Sequence, residues 1–137
     1  MTDFKVFQYH NPVQIEFGIG ALEGLRERTG NRKILVVTSK SHIIDPFFQS
    51  ILKSVSDKVE FIINDVKPNP IFSSIKKYYE TIKDNKIDLV LGYGGGSVLD
   101  TAKVLSLHIN SYQKIVSLIK GEFKSEYVIK PLILIPT

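Results

Sequence analysis

A chain of 137 residues is long enough for one compact domain or for one part of a larger protein. Its 43% hydrophobic and 23% charged residues match globular usage and argue against disorder, and a net charge of +4 is too small a surplus to argue for nucleic acid. The absence of cysteine excludes disulfide scaffolds, zinc ribbons and thiol chemistry, and no apolar run approaches the roughly 18–20 residues of a membrane span. The opening Met1-Thr2-Asp3-Phe4-Lys5 lacks the charged-then-apolar order of a signal peptide, so a soluble, cytoplasmic protein with no membrane partner is expected.

Along the chain, short aliphatic runs alternate with stretches of helical period. Val13, Ile15 and Phe17 alternate as in a half-exposed strand, and Gly18-Ile19-Gly20 turns the chain into a short helix over Ala21 to Arg28. Ile34 to Val37 is a continuous β-branched run of the kind found in buried parallel strands. Phe47, Phe48, Ile51, Leu52 and Val55 then repeat at helical spacing.

Val59 to Ile63 is the next strand, followed by a loop holding Pro68-Asn69-Pro70. Phe72, Ile75, Tyr79 and Ile82 mark an amphipathic helix that ends near Asn85, its lysines 76, 77, 83 and 86 forming a solvated face. Asp88 to Leu91 is a further strand; it runs into Gly92-Tyr93-Gly94-Gly95-Gly96-Ser97, and a helix carrying Val98, Leu99, Ala102, Leu105 and Ile109 follows. Residues 110 to 130 are mostly polar, with a helical turn expected around Ile115 to Ile119, and Leu132 to Ile135 is the last strand. So apolar a strand needs cover on both faces, which suggests that the chain is a fragment of something longer. The alternation predicts one α/β unit: a Rossmann-like parallel sheet with helices on both faces.

The glycine run carries the chemistry. A buried strand feeding glycines that open directly into a helix lets the backbone approach a phosphate, and the helix N-terminus offers unpaired N–H groups with partial positive charge. The alternative is a tight turn in which Ser97 caps the helix and Asp100 completes a capping box. Both can hold at once, but three consecutive glycines cost more chain entropy than a turn requires, which favours anion binding. Two standard phosphate motifs fail here. Gly92 is followed by Ser97-Val98 where a P-loop needs Gly-Lys-Ser/Thr, and G-x-G-x-x-G fits Gly92 and Gly94 but meets Ser97 in its third position.

Gly94-Gly95-Gly96-Ser97-x-x-Asp100-x-Ala102-Lys103 resembles the signature loop of the iron-containing (group III) alcohol dehydrogenases and the related glycerol dehydrogenases. Phe17-Gly18-x-Gly20, Val36-Val37-Thr38, Pro68-Asn69-Pro70 and Ile135-Pro136-Thr137 fall in the family's order, so the resemblance runs from about Phe17 to Thr137. It implies that residues 1–137 are an N-terminal dinucleotide-binding domain, truncated before an all-helical domain that binds iron or zinc. The activity it implies is hydride transfer between an alcohol or aldehyde and a nicotinamide cofactor, in a homodimeric full-length enzyme. A glycerol or glycerol-phosphate dehydrogenase on the same scaffold, or a nucleotide-binding module without catalysis, are the alternatives.

By position, the resemblance places Gly94, Gly95, Gly96 and Ser97 at the pyrophosphate, Asp100 near the nicotinamide end, Asn69 and Thr137 on the adenosine side, and Ser39 at the adenosine ribose. Lys103 matches the motif too, but a surface or structural lysine fits it equally well. An acidic residue at a strand end binds the ribose 2′-hydroxyl and repels a 2′-phosphate. Here the strand ends in Thr38-Ser39-Lys40-Ser41, which predicts NADP over NAD, with Asp45 close enough in sequence to fold back and reverse the preference. His10, His42 and His108 show no metal-ligand spacing and read as ordinary surface or boundary histidines, so no metal site is expected within this chain.

Overall fold

Four consecutive aliphatic residues, Ile34–Val37, form strand β1, and all four side chains are completely buried. In this computed structural model, which describes residue 8 and residues 10–108, 111–122 and 128–137, β1 is an inner strand of a four-stranded sheet. Strands β2 (Val59–Ile63), β3 (Leu89–Gly94) and β6 (Leu132–Pro136) complete it in the order β2-β1-β3-β6, every neighbouring pair parallel. Successive side chains on a strand point to opposite faces. Leu35 and Val37 therefore pack with α4 (Phe72–Ile82) and α5 (Gly96–Leu105), whereas Ile34 and Val36 pack with α1 (Leu25–Thr29) and α3 (Pro46–Val55). Burying each of these aliphatic side chains contributes about 2 kcal/mol, which is why a run of only four fixes the centre of the sheet.

The expected parallel sheet with helices on both faces is thus the observed architecture. A four-residue helix, α2 (Lys40–Ile43), follows β1. Helix α3 starts where Asp45 accepts a hydrogen bond from Phe47 N at 2.8 Å, with Pro46 in its first turn. A single 3₁₀ turn, Ser56–Lys58, leads into β2. Beyond α5, β4 (Leu107–His108) and β5 (Val128–Ile129) form a small antiparallel pair, and α6 (Tyr112–Ile119) lies between them in sequence. No described helix is long and apolar enough to cross a membrane.

Several expectations are corrected. Residues 13–17 form no strand: Val13, Ile15 and Phe17 are all exposed and pair with no strand among the described residues. The first helix is shorter than expected because turns occupy residues 18–24. On α4 the inward residues are Ile75, Tyr78 and Ile82, while Tyr79 is half-buried and Phe72 exposed. Phe47 likewise faces out of α3. Strand β3 continues past Leu91 to Gly94, and α5 ends at Leu105 because Leu107 and His108 pair with β5. The segment expected to be mostly loop holds the eight-residue α6 with Ile115 buried beneath it. The expectations for Met1 to Lys5, Ile109 and the side chain of His108 lie outside the described residues.

Candidate functional site

The strand order places one gap in the sheet's upper edge. From β1 the chain passes outward to β2, and from β3 it passes the other way to β6, so the loops leaving the carboxyl ends of β1 and β3 diverge. Such a switch point leaves a crevice outside the sheet, where open α/β folds receive ligands. A cleft of about 470 Å³ lies there, lined by Ser39 to His42 after β1, Asp65 to Pro68 after β2, and Gly95 to Val98 after β3. Thr38 pins its base: its Oγ1 donates to Tyr93 O at 2.8 Å, its N–H to Ile63 O at 2.8 Å, and its carbonyl accepts from Val66 N at 3.3 Å.

The glycines divide by what surrounds them. A Cβ on Gly92 would stand 2.9 Å from Ala102 Cβ and 3.0 Å from Leu134 Cδ2, so α5 and β6 can approach β3 only because that Cβ is missing. Gly94 has φ +152° and a Cβ there would meet Val98 at 2.9 Å, so the turn out of β3 needs glycine twice over. Gly95 and Gly96 differ. Neither lies in the left-handed region, and a Cβ on either would meet nothing within 4 Å. The fold itself makes no demand for glycine at these two positions; the space their missing side chains leave belongs to the cleft.

Ser97 is not the helix cap. Gly95 occupies the N-cap position and Ser97 lies inside α5, where no side-chain cap bond forms. Instead Ser97 Oγ accepts from Asn69 N at 3.1 Å, tying the loop after β2 to the start of α5. Asn69 has φ +51°, a conformation asparagine tolerates better than most residues. Asp100 makes no capping box either: it is exposed and pairs with Lys103 at 3.1 Å, which also fixes that lysine as a surface partner. The structure therefore brings Ser39, Gly95, Gly96 and Ser97 to one cleft, with Asn69 bonded to its wall. Gly94 forms the turn beneath, accepting from Thr137 N at 3.2 Å, and Asp100 sits one turn along α5.

His42, in the loop after the first core strand, is not the ordinary surface histidine its spacing suggests. Its ring lines the cleft, with Nδ1 2.7 Å from Ser39 Oγ and Nε2 3.1 Å from Thr137 Oγ1. Asp45 does not reach back toward Ser39. Its two oxygens accept from Phe47 N and, at 3.3 Å, from the Tyr93 hydroxyl, and burial together with this carboxylate raises the tyrosine's pKa. The acidic side chain lining the cleft is Asp65. Burial opposes its charge, but Lys77 at 3.1 Å and the nearby Tyr78 hydroxyl hold it below the usual carboxylate range. Burial and Asp65 in turn push Tyr78 up to about 12. Among the described residues, no group of three or more His, Asp or Glu side chains could hold a metal ion.

The family model for iron-containing alcohol dehydrogenases matches residues 12–137. The chain belongs to the iron-containing alcohol dehydrogenase family. Relatives in that family include the NADPH-dependent aldehyde reductase of Escherichia coli K12, 31% identical over 110 residues that make up 76% of this chain and 27% of the relative. The NADH-dependent butanol dehydrogenase A of Clostridium acetobutylicum is 32% identical over 106 residues, 73% of this chain and 27% of that one. Among solved structures, a NADH-dependent butanol dehydrogenase A from Thermotoga maritima superposes with a TM-score of 0.80 at 29% identity, over 95% of this chain and 34% of its own. The chain thus spans between a quarter and about a third of the length of these family members.

Proposed function

We propose that residues 1–137 are the N-terminal dinucleotide-binding domain of a metal-dependent enzyme that interconverts alcohols and aldehydes with NADP or NAD. One observation carries this: Gly95 and Gly96 open into the cleft at the N-terminus of α5, beside the switch point between β1 and β3, without any packing reason to be glycine. The first N–H groups of a helix have no partners within it and attract an anion. In this reading Gly95, Gly96 and Ser97 hold the pyrophosphate and Gly94 makes the turn that presents them. Asn69 and Thr137 flank the adenosine, Ser39 meets its ribose, and Asp100 faces the nicotinamide end.

The dinucleotide would supply the hydride acceptor or donor. This chain's own residues bind and orient it. The iron or zinc, like the alcohol-binding surface, is assigned to the rest of the enzyme, and the enzyme to a homodimer.

NADP is the preferred cofactor in this reading. Ser39, Lys40 and Ser41 offer hydroxyls and a cation to a 2′-phosphate. Asp45 is engaged elsewhere, and the charge of Asp65 is offset by Lys77. The relatives leave the choice open, since one is named for NADPH and another, of similar identity, for NADH. The test is titration of full-length protein with each reduced cofactor, followed by fluorescence, together with aldehyde-dependent oxidation of each. Tighter binding and higher kcat/KM with NADPH are expected. Failure to bind either cofactor sinks the assignment, and a preference for NADH sinks the NADP part alone.

A further inference from the structure

The roles assigned above leave one ring in the cleft unused. His42 stands between two hydroxyls, Ser39 Oγ at 2.7 Å from Nδ1 and Thr137 Oγ1 at 3.1 Å from Nε2. Tyr93 meets it edge-on, with ring centroids 5.7 Å apart and planes at 83°, which fixes the plane of the imidazole. A hydroxyl can donate or accept, whereas a neutral imidazole has one N–H and one bare nitrogen. The two bonds are therefore coupled. With Nδ1 bare, Ser39 donates its proton to the ring and Nε2–H donates to Thr137. With Nε2 bare, Thr137 donates to the ring and Nδ1–H donates to Ser39.

These arrangements present different faces of Ser39 to the cleft. In the first its proton is committed, and only lone pairs remain for a ligand, which suits a ribose 2′-hydroxyl acting as donor. In the second its proton is free for Ser41 Oγ, at 3.0 Å, or for an acceptor in the cleft. A phosphate is the stronger acceptor of the two. A protonated imidazole carries N–H at both nitrogens, so Nδ1–H donates to Ser39 as in the second arrangement while Nε2–H donates to Thr137, leaving the Ser39 proton free and adding a cation beside it.

Resting on the reading that a dinucleotide lies here with its ribose at Ser39, we infer that His42 is a positioning residue that sets whether Ser39 donates or accepts. It thereby weights a 2′-phosphate against a 2′-hydroxyl, with protonation favouring the phosphate. Several charged and titratable groups face this ring or the cleft it lines. Lys40 comes from α2 itself, Tyr93 from β3 with Asp45 behind it, and Lys67 and the Lys77-paired Asp65 from the loop after β2. The lysines oppose a further cation and the carboxylates favour it.

The test uses full-length protein and measures NADPH and NADH affinity at about pH 6 and about pH 8 for wild type, His42→Leu and His42→Asn. Leucine removes both bonds. Asparagine keeps a polar partner for Ser39 that carries no charge. The phosphate's own protonation near pH 6 is common to all three proteins, so the comparison with wild type isolates the ring. The wild-type ratio of NADPH to NADH affinity should exceed that of His42→Leu by about tenfold at the lower pH and by much less at the higher. His42→Asn should bind both cofactors with a ratio that follows His42→Leu in its pH course. A wild-type ratio that tracks His42→Leu at both pH values overturns the inference while the cofactor site stands. A wild type that binds neither dinucleotide removes the site itself, and the inference with it.

Discussion

At the amino ends of the strands, a hollow of about 410 Å³ is lined by Arg26, Arg32, Lys33, Asp57 and Lys58, among others. Most of its charges are paired within the protein. Arg26 grips Asp57 through two bonds of 2.7 and 3.0 Å, which hold that carboxyl below its ordinary range. Lys58 Nζ donates to Arg26 O and Thr29 Oγ1 at the end of α1, where a cation suits the helix's exposed carbonyls, and Arg32 donates to Arg28 O at 3.2 Å. At the carboxyl ends, a cleft of about 470 Å³ is walled instead by two glycines with open space above them, a helix N-terminus, hydroxyls and lysines. Size does not separate the two hollows. What separates them is that the amino-end hollow holds charges gripping one another, whereas the carboxyl-end cleft opens onto two glycines with no neighbour above them at the start of a helix.

The largest expected effect comes from adding the same side chain at two nearby glycines. Gly92→Val should destabilise the fold by about 3 kcal/mol or more, since the new atoms collide with Ala102 on α5 and Leu134 on β6. Gly96→Val should leave thermal unfolding within a few degrees of wild type but weaken dinucleotide binding at least about a hundredfold, because its side chain occupies the space an anion needs. Calorimetry and cofactor titration on both variants check this. A Gly96→Val protein that binds normally would reduce the loop to a turn, and the two ends of the sheet would then be alike.

A smaller effect is expected at the rim. Ser39→Asp places a carboxylate where no acidic group now stands at the end of β1, and should move the NADPH-to-NADH ratio of kcat/KM toward NADH by about tenfold or more. An unchanged ratio would show that the ribose lies elsewhere.

The smallest is a pH effect. The folded-state pKa of Tyr78, about 12, lies above the roughly 10 of a free tyrosine. Its stabilising contribution is therefore complete below about pH 10 and is lost as pH rises toward about 12. Asp57, held low at the other end, works in the opposite direction and loses its contribution as pH falls. Urea unfolding across the alkaline range should show wild type losing stability there and Tyr78→Phe losing less. Equal slopes would remove Tyr78 from the account.

The centre of the sheet is plain from the residues. Ile34 to Val37, Val59 to Ile63 and Leu132 to Ile135 are short, mostly apolar runs with one sensible location, and the structure puts all of them in the sheet. Alternation is a weaker signal: at Val13 to Phe17 it meets no pairing strand among the described residues, and the apolar side chains stay exposed. On α4 the apolar spacing points to Tyr79, but Tyr78 turns inward: neighbouring tyrosines differ by only one step around the helix, and the packing of β3 and the Asp65 loop decides between them. At the site, the glycines announce a special turn, but the pattern cannot say which of them the fold needs and which it leaves open. That distinction requires the positions of Ala102, Leu134 and Val98. His42 falls near the ribose end by its place after the first core strand, but its role was not legible: its partner Thr137 lies 95 residues away, and a single histidine carries no periodicity.

The bond from Thr38 to Tyr93 O joins residues 55 positions apart, and the β1–β3 register around it is what defines the crevice. Closing so long a loop is entropically expensive and must happen before the local contacts on either side gain from it. The unfolded chain therefore has no partial version of this cleft for a nucleotide to grip. Occupancy of the cleft should act on the native state alone, lengthening its lifetime against unfolding while leaving the speed of folding unchanged.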